Sequence, residues 1–169
     1  LAEAEIDGRT LPGQSTADMP LARMPEPTWD RLFSLNYEAA MWAATAAIPG
    51  MAKRGSGHVV FISSHAAIHP AIGQAAYSTA KGALLGLAVD LAERWGTSGI
   101  RINAVMPGFL KTPMTTSVSA SRREEVKAEH RLGRFNTPVA TAGFIRFLDE
   151  EMPHTSGQVF QLDSRRGFF

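Results

Sequence analysis

Cysteine is absent from this chain of 169 residues. A disulfide framework, a cysteine-ligated metal and thiol catalysis are thereby excluded, and a reducing cytosol is the compartment the composition suits. Charge of one sign is also lacking. Seventeen Lys and Arg against 16 Asp and Glu leave a formal net charge of +1, with no basic run. That balance argues against nucleic acid as a partner and against an anionic membrane surface. No apolar stretch is long enough to cross a bilayer before a charge interrupts it. Internal repeats and low-complexity tracts are missing too. The chain opens Leu-Ala-Glu-Ala-Glu, with neither an initiator methionine nor a signal-peptide pattern, and reads as a fragment, a processed chain or an abridged one. What it does have is 44% apolar residues, enough for one globular domain with a core.

Residues 1–25 are polar and broken by Gly8, Pro12, Gly13, Pro20 and Pro25, and they read as irregular. A helix is expected from Thr28, a plausible N-cap, with Trp29, Leu32, Phe33, Asn36, Ala40, Ala43 and Ala47 on one face. Pro49-Gly50 should bend or end it. His58 to Ile62 is an apolar run without alternation, the pattern of a strand buried on both faces. A long helix over 75–95, stopped by Gly96 and Gly99, leads to a second strand over 101–106, ended by Pro107-Gly108. Helices from Ser121 to His130 and from Pro138 to about Glu151, then a strand over 158–162, complete the order. Strands alternating with helices predict an α/β fold with a parallel sheet covered on both faces. Sites in such sheets lie beyond the carboxyl ends of the strands, at Ser63-Ser64 and Pro107-Gly108 here. Three strands are few for such a sheet, and something is expected to complete it.

Tyr77 and Lys81 are four residues apart, so they share a helix face. An ammonium beside a phenol lowers the phenol's pKa towards working pH and makes it a usable acid and base. The bland alternative is a tyrosine at the core edge with a lysine snorkelling to water. Against it, Lys81 is the only charge between Ala75 and Val89. Ser64, at the end of a strand thirteen residues before Tyr77, can hold a substrate carbonyl, although Ser63 competes and a serine there is often an ordinary turn residue. Asn36 lies in an apolar stripe, where its carboxamide needs partners. It bonds neighbouring backbone, holds a water in a relay to Lys81, or does both. His65 and His69 also stand four apart, but without an acidic companion they are expected to line the substrate side of a loop rather than bind metal. Ile68, Ile72, Phe109, Leu110 and Met114 suggest a partly apolar substrate.

Gly57-His-Val-Val-Phe-Ile-Ser-Ser64, Tyr77-Ser-Thr-Ala-Lys81 and Ile100-Arg-Ile-Asn-Ala-Val-Met-Pro-Gly108 together resemble the consecutive signatures of the classical short-chain dehydrogenase/reductase family. The likeness continues through Thr112-Pro113 to Gly157-Gln158 and Asp163, covering about residues 26 to 163. It implies a doubly wound, Rossmann-like parallel sheet of which residues 26–169 supply the C-terminal, catalytic part. It implies further that Tyr77 exchanges a proton with substrate oxygen and Ser64 orients it. Lys81 would lower the phenol's pKa and bind the nicotinamide ribose, while Asn36 anchors the relay water. Pro107, Gly108, Phe109 and Thr112 would position the nicotinamide of NAD or NADP. The activity implied is interconversion of a ketone and a secondary alcohol, by a homo-oligomer (dimer or tetramer) built through the two long helices.

Two features depart from the family pattern. The glycine-rich turn that cradles the pyrophosphate has no counterpart among these residues, so the cofactor-binding half is expected from elsewhere. Asp163 is followed by Ser164-Arg165-Arg166 where the family has a glycine pair. A second reading therefore stands beside the enzyme: a non-catalytic, truncated subunit that serves as an assembly partner. The polar approach to the 121–130 helix resembles the family's mobile substrate lid.

Overall fold

In the computed structural model, residues 5–6, 9–10, 21–116 and 118–167 are described. Two short strands, β1 (Glu5–Ile6) and β2 (Arg9–Thr10), pair antiparallel inside the segment expected to be irregular. Residues 11–20 lie outside the described part. Helix α1 (Glu26–Phe33) starts two residues before the expected cap. Pro25 holds the extended conformation at φ −64° and ψ 142°, and its carbonyl accepts from Thr28 N at 3.0 Å. Thr28 is thus a buried first-turn residue. Pro27 costs nothing there, because a first-turn N–H has no helical acceptor anyway.

α1 runs through one π-helical turn, Ser34–Glu38, into α2 (Ala39–Arg54). A π turn inserts an extra residue into the helical count. The predicted stripe accordingly slips by one beyond Asn36. Ala43 and Ala47 face solvent, and Ala44 and Ile48 take the buried places. Nor does the helix stop at Pro49. Pro49 and Thr45, whose carbonyl loses its i+4 donor, are both exposed, so water can replace the missing bond. Gly55, at φ 69°, ends the helix in the left-handed conformation that glycine adopts without strain.

Strands β3 (Gly57–Ile62), β4 (Ile100–Met106) and β5 (Val159–Gln161) form a parallel sheet in that order. β3 pairs Gly57 to Ile100 through Ile62 to Val105, and β4 pairs Ala104 to Val159. β4, in the middle, is buried along all its length except at Arg101. β3 is not buried on both faces as its composition predicts. Only Phe61 is fully enclosed, because β4 is the one strand beside it among the described residues.

Helix α3 (Ala75–Trp95) lays Ala76, Ala80, Leu84, Ala88 and Ala92 on the sheet. Alanine at every fourth position lets the helix approach closely, and Leu84 fills the centre against Ile48, Phe61, Ile100 and Ile102. Burial of such a leucine contributes about 2 kcal/mol. Two capped helices complete the chain. In α4 (Ala120–Ala128) Ser119 Oγ accepts from Arg122 N at 3.2 Å, and in α5 (Pro138–Glu150) Thr137 Oγ1 accepts from Ala140 N at 3.1 Å. Among the described residues no helix is long and apolar enough to cross a membrane.

Candidate active site at the carboxyl ends of the strands

The chain leaves β3 through Ser63 and Ser64, whose side chains part company. Ser63 Oγ donates to the Lys81 carbonyl at 2.7 Å and ties the strand end to α3. Ser64 Oγ accepts from Ala66 N at 3.2 Å, opening a 3₁₀ turn over His65–Ala67, and shares a hydrogen bond with the Tyr77 hydroxyl. One turn further along α3, Lys81 Nζ donates to the Ile62 carbonyl at 3.0 Å and sits 5.9 Å from the Tyr77 ring centroid. Strand end and helix start therefore bring Ser64, Tyr77 and Lys81 together.

Their electrostatics differ from the expectation of a phenol made acidic by the ammonium. Burial pushes the Tyr77 phenol above its ordinary value, and the Ser64 hydrogen bond only partly offsets this. Lys81 is held below its ordinary value, again by burial. The ammonium is bonded to a backbone carbonyl rather than to the phenol, so desolvation wins at Tyr77. A phenol so placed is a neutral acid at physiological pH.

Asn36 lies in the π turn. Its Nδ2 donates to the Leu32 carbonyl at 3.0 Å, the local backbone bond that was one of its two expected uses. π turns recur at functional sites because they re-aim a side chain without ending the helix.

Beyond β4, Pro107 is buried and Gly108 adopts φ 85°. A Cβ at Gly108 would stand 2.5 Å from Asp163, so both backbone and space require glycine. Phe109 packs on Phe135 with ring centroids 4.7 Å apart. Thr112 donates its backbone N–H to Thr115 Oγ1 at 3.0 Å, closing a compact turn. Pattern reading missed Asn136, whose Nδ2 donates to the Pro107 carbonyl at 2.8 Å and to Thr141 Oγ1 at 3.1 Å. An Asn before Thr-Pro reads as a turn residue, and nothing local shows its bond to a segment 29 residues away.

The histidines do something other than expected. His65 and His69 Nε2 lie 3.1 and 2.9 Å from the carbonyl oxygens of Arg166 and Gly167, and so fasten the C-terminal segment. Among the described residues no cluster of three metal-type ligands exists. Asp163 and Arg165, in the stretch that departs from the family pattern, form a pair at 2.7 Å that is wholly enclosed on the Asp163 side. Of the apolar candidates, Ile68 and Leu110 are half-buried but Ile72 is 99% exposed, an unpacked loop residue rather than a pocket wall. The side chain of Met114 lies outside the described part.

A parallel sheet between helices, with its convergent polar groups past the strand ends, defines a Rossmann-like α/β protein. Over residues 12–123 the chain matches the short chain dehydrogenase family, and it belongs to that family. The match starts well before residue 26, where motifs alone place the start of the likeness. The chain is 34% identical over 149 residues to the 3-oxoacyl-[acyl-carrier-protein] reductase FabG of Thermotoga maritima, covering 88% of this chain and 61% of that protein. It is 30% identical over 160 residues to the 4-formylbenzenesulfonate dehydrogenase of Comamonas testosteroni, covering 91% of this chain and 64% of that one. A crystal structure of a candidate NAD(P)-dependent gluconate 5-dehydrogenase from Beutenbergia cavernae, with NADP bound at low occupancy, superposes with a TM-score of 0.84 at 29% identity. That match covers 88% of this chain and 61% of the other. The chain thus spans less than two thirds of the length of these relatives.

Proposed function

We propose that this chain is the C-terminal, catalytic part of an NAD(P)-dependent oxidoreductase that interconverts a ketone and a secondary alcohol. The observation that carries the reading is the convergence of Ser64, Tyr77 and Lys81 where β3 ends and α3 begins. Its family relatives include proteins named as reductases and dehydrogenases, which supports the same reaction class.

The residues present fit the nicotinamide ribose end of such a cofactor. Lys81 Nζ carries three donors, of which the Ile62 carbonyl takes one, and its amine faces the Tyr77 ring. Gly108 holds the backbone open beside Asp163 at the next strand end. The cofactor, when bound, supplies or accepts the hydride. Everything else falls to the chain. Ser64 donates a hydrogen bond to the substrate carbonyl and holds it against Tyr77. Tyr77 Oη gives its proton to the oxygen as the carbonyl carbon is reduced, and takes one back in the reverse direction. Lys81 stabilises the phenolate left behind and holds the ribose. Asn36 keeps the π turn in register and orients water towards Lys81. Pro107, Gly108, Phe109 and Thr112 bound the nicotinamide pocket.

Turnover of ketones by the full chain with NADH or NADPH, together with the residues that complete its sheet, tests this. Replacing Tyr77 by Phe should remove about three orders of magnitude of rate, the usual weight of a positioned acid. Unchanged turnover in Tyr77→Phe would end the assignment. Among the described residues β3 has no strand on its outer edge, which favours a second reading, an assembly subunit that works only against a partner. Calorimetric titration with both nicotinamides separates the two, since tight binding by this chain alone eliminates the second.

A further inference from the structure

Between the turn after β4 and the start of α4 lies an open cleft of about 320 Å³, whose lining includes Phe109, Lys111, Thr112, Thr115, Thr116 and Arg123. We propose that the side of it formed by Lys111 and Arg123 seats an anionic substituent, a carboxylate or sulfonate carried by the substrate. The proposal rests on the oxidoreductase reading and adds a substrate class to it.

Charge pairing on α4 carries the argument. Arg122 is matched to Glu125 at 2.9 Å, and Lys127 to Glu124 at 3.7 Å. Arg123, between them in sequence, lines the cleft and makes no ion pair or side-chain hydrogen bond among the described residues. Lys111 lines the cleft from a different segment, and it too has no such partner among them. No carboxylate lines the cleft, so its two cations, the exposed Lys111 and the half-buried Arg123, are left to solvent. Water and salt screen such a pair, and an anion carried by the substrate can take their place. The walls are set in advance. Thr115 Oγ1 donates to the Leu110 carbonyl at 2.7 Å and accepts from Thr112 N at 3.0 Å, and Thr116 Oγ1 donates to the Thr112 carbonyl at 3.2 Å. Phe109, packed on Phe135 with ring centroids 4.7 Å apart, adds an apolar surface to the lining. A flat body with an acid at one end suits such a surface. Lys111 supplies a point charge and Arg123 a planar fork for two oxygens.

Two probe pairs test the idea, 4-acetylbenzoate and levulinate, each against its methyl ester. Amide resonances of 109–116 and 123 should shift saturably with the acids and not with the esters, in the absence of cofactor. The double variant Lys111→Gln/Arg123→Gln should bind the acids about tenfold more weakly, the range expected for two solvent-facing charge contacts. Its thermal midpoint should stay unchanged, because neither side chain supports the fold. In turnover, KM for the acids should rise about tenfold while kcat and the cofactor's KM hold. Equal binding of acid and ester, or full acid binding by the double variant, overturns the proposal. So does a loss that falls on the cofactor's KM, which would place the cofactor's own phosphates in the cleft. With the residues that complete the sheet present, saturable acid-specific shifts without turnover of any ketone would instead refute the oxidoreductase reading and leave the anion site standing.

Discussion

The two ends of the sheet both carry buried polar groups, and they treat them in opposite ways. At the amino end, Asn103 is fully enclosed and completely matched. Its Nδ2 lies 3.0 Å from the Thr155 carbonyl and 3.1 Å from His58 Nε2, and its Oδ1 accepts from Gln158 N at 3.0 Å. Arg101 reaches the carbonyls of Leu148, Met152 and Asp149 and the Asp149 carboxylate. The concavity here is also the larger of the two described, at about 490 Å³ against 320 Å³. Yet Arg101 and His58, which line it, already have their hydrogen bonds. At the carboxyl end, Lys81 keeps two donors beyond its bond to Ile62, and Tyr77 and Ser64 share a single bond in a desolvated setting. A saturated network fixes a fold, whereas a network with capacity left over can take a substrate. Size of concavity points to the wrong end.

The contrast breaks most sharply on two substitutions. Tyr77→Phe removes an oxygen bonded only at the site, so turnover should fall about a thousandfold while the urea midpoint holds. Asn103→Ala does the reverse. It strands the Gln158 N–H and opens a small void beside His58, so unfolding free energy should drop by about 3 kcal/mol. Urea titration of the full chain reads this directly. If Tyr77→Phe unfolds the protein and Asn103→Ala does not, the assignment of the two ends is inverted.

Lys81→Met sharpens the comparison by a smaller effect. Burial holds the Lys81 ammonium below its ordinary pKa. A depressed folded value means that stability is present above the ordinary value and lost as pH falls through the folded one. At neutral pH the charged group is therefore a liability to the fold. Methionine, similar in shape, should raise the unfolding free energy by about 0.5–1 kcal/mol while abolishing turnover. A loss of stability instead would show Lys81 to be a structural residue of the same kind as Arg101.

What the sequence reveals follows the range of the interaction involved. The limits of α3 were legible because Gly96 and Gly99 act locally, and β4 because an apolar run before Pro107-Gly108 has few other fates. The Tyr77–Lys81 pairing was legible from helix geometry alone. The π turn was not, since no residue type demands it, and the stripe beyond Asn36 was misread by one position as a result. The direction of the Tyr77 shift was misread for a related reason. Spacing places an ammonium near a phenol but says nothing of how much water burial removes. The roles of His65 and His69 depend on carbonyls about a hundred residues away. Such pairings exist only once the chain has closed.

The smallest expected effect concerns pH and joins the two ends through their histidines. Burial is the main cause that lowers both His58, at the amino end, and His65, at the carboxyl end, with Arg101 and Arg165 adding to it. For a depressed value the folded state binds fewer protons than the unfolded chain between the folded pKa and the ordinary 6.5. Stability is then complete above about pH 6.5 and declines as pH falls through the folded values. Thermal midpoints measured from pH 7.5 down to 5 should fall by a few degrees at most. His58→Gln and His65→Gln should each flatten part of that slope. At the amino end, losing the slope should leave ketone reduction untouched. At the carboxyl end, His65 holds the segment that packs against the turn bearing Ser64, so the same flattening should come with an altered KM.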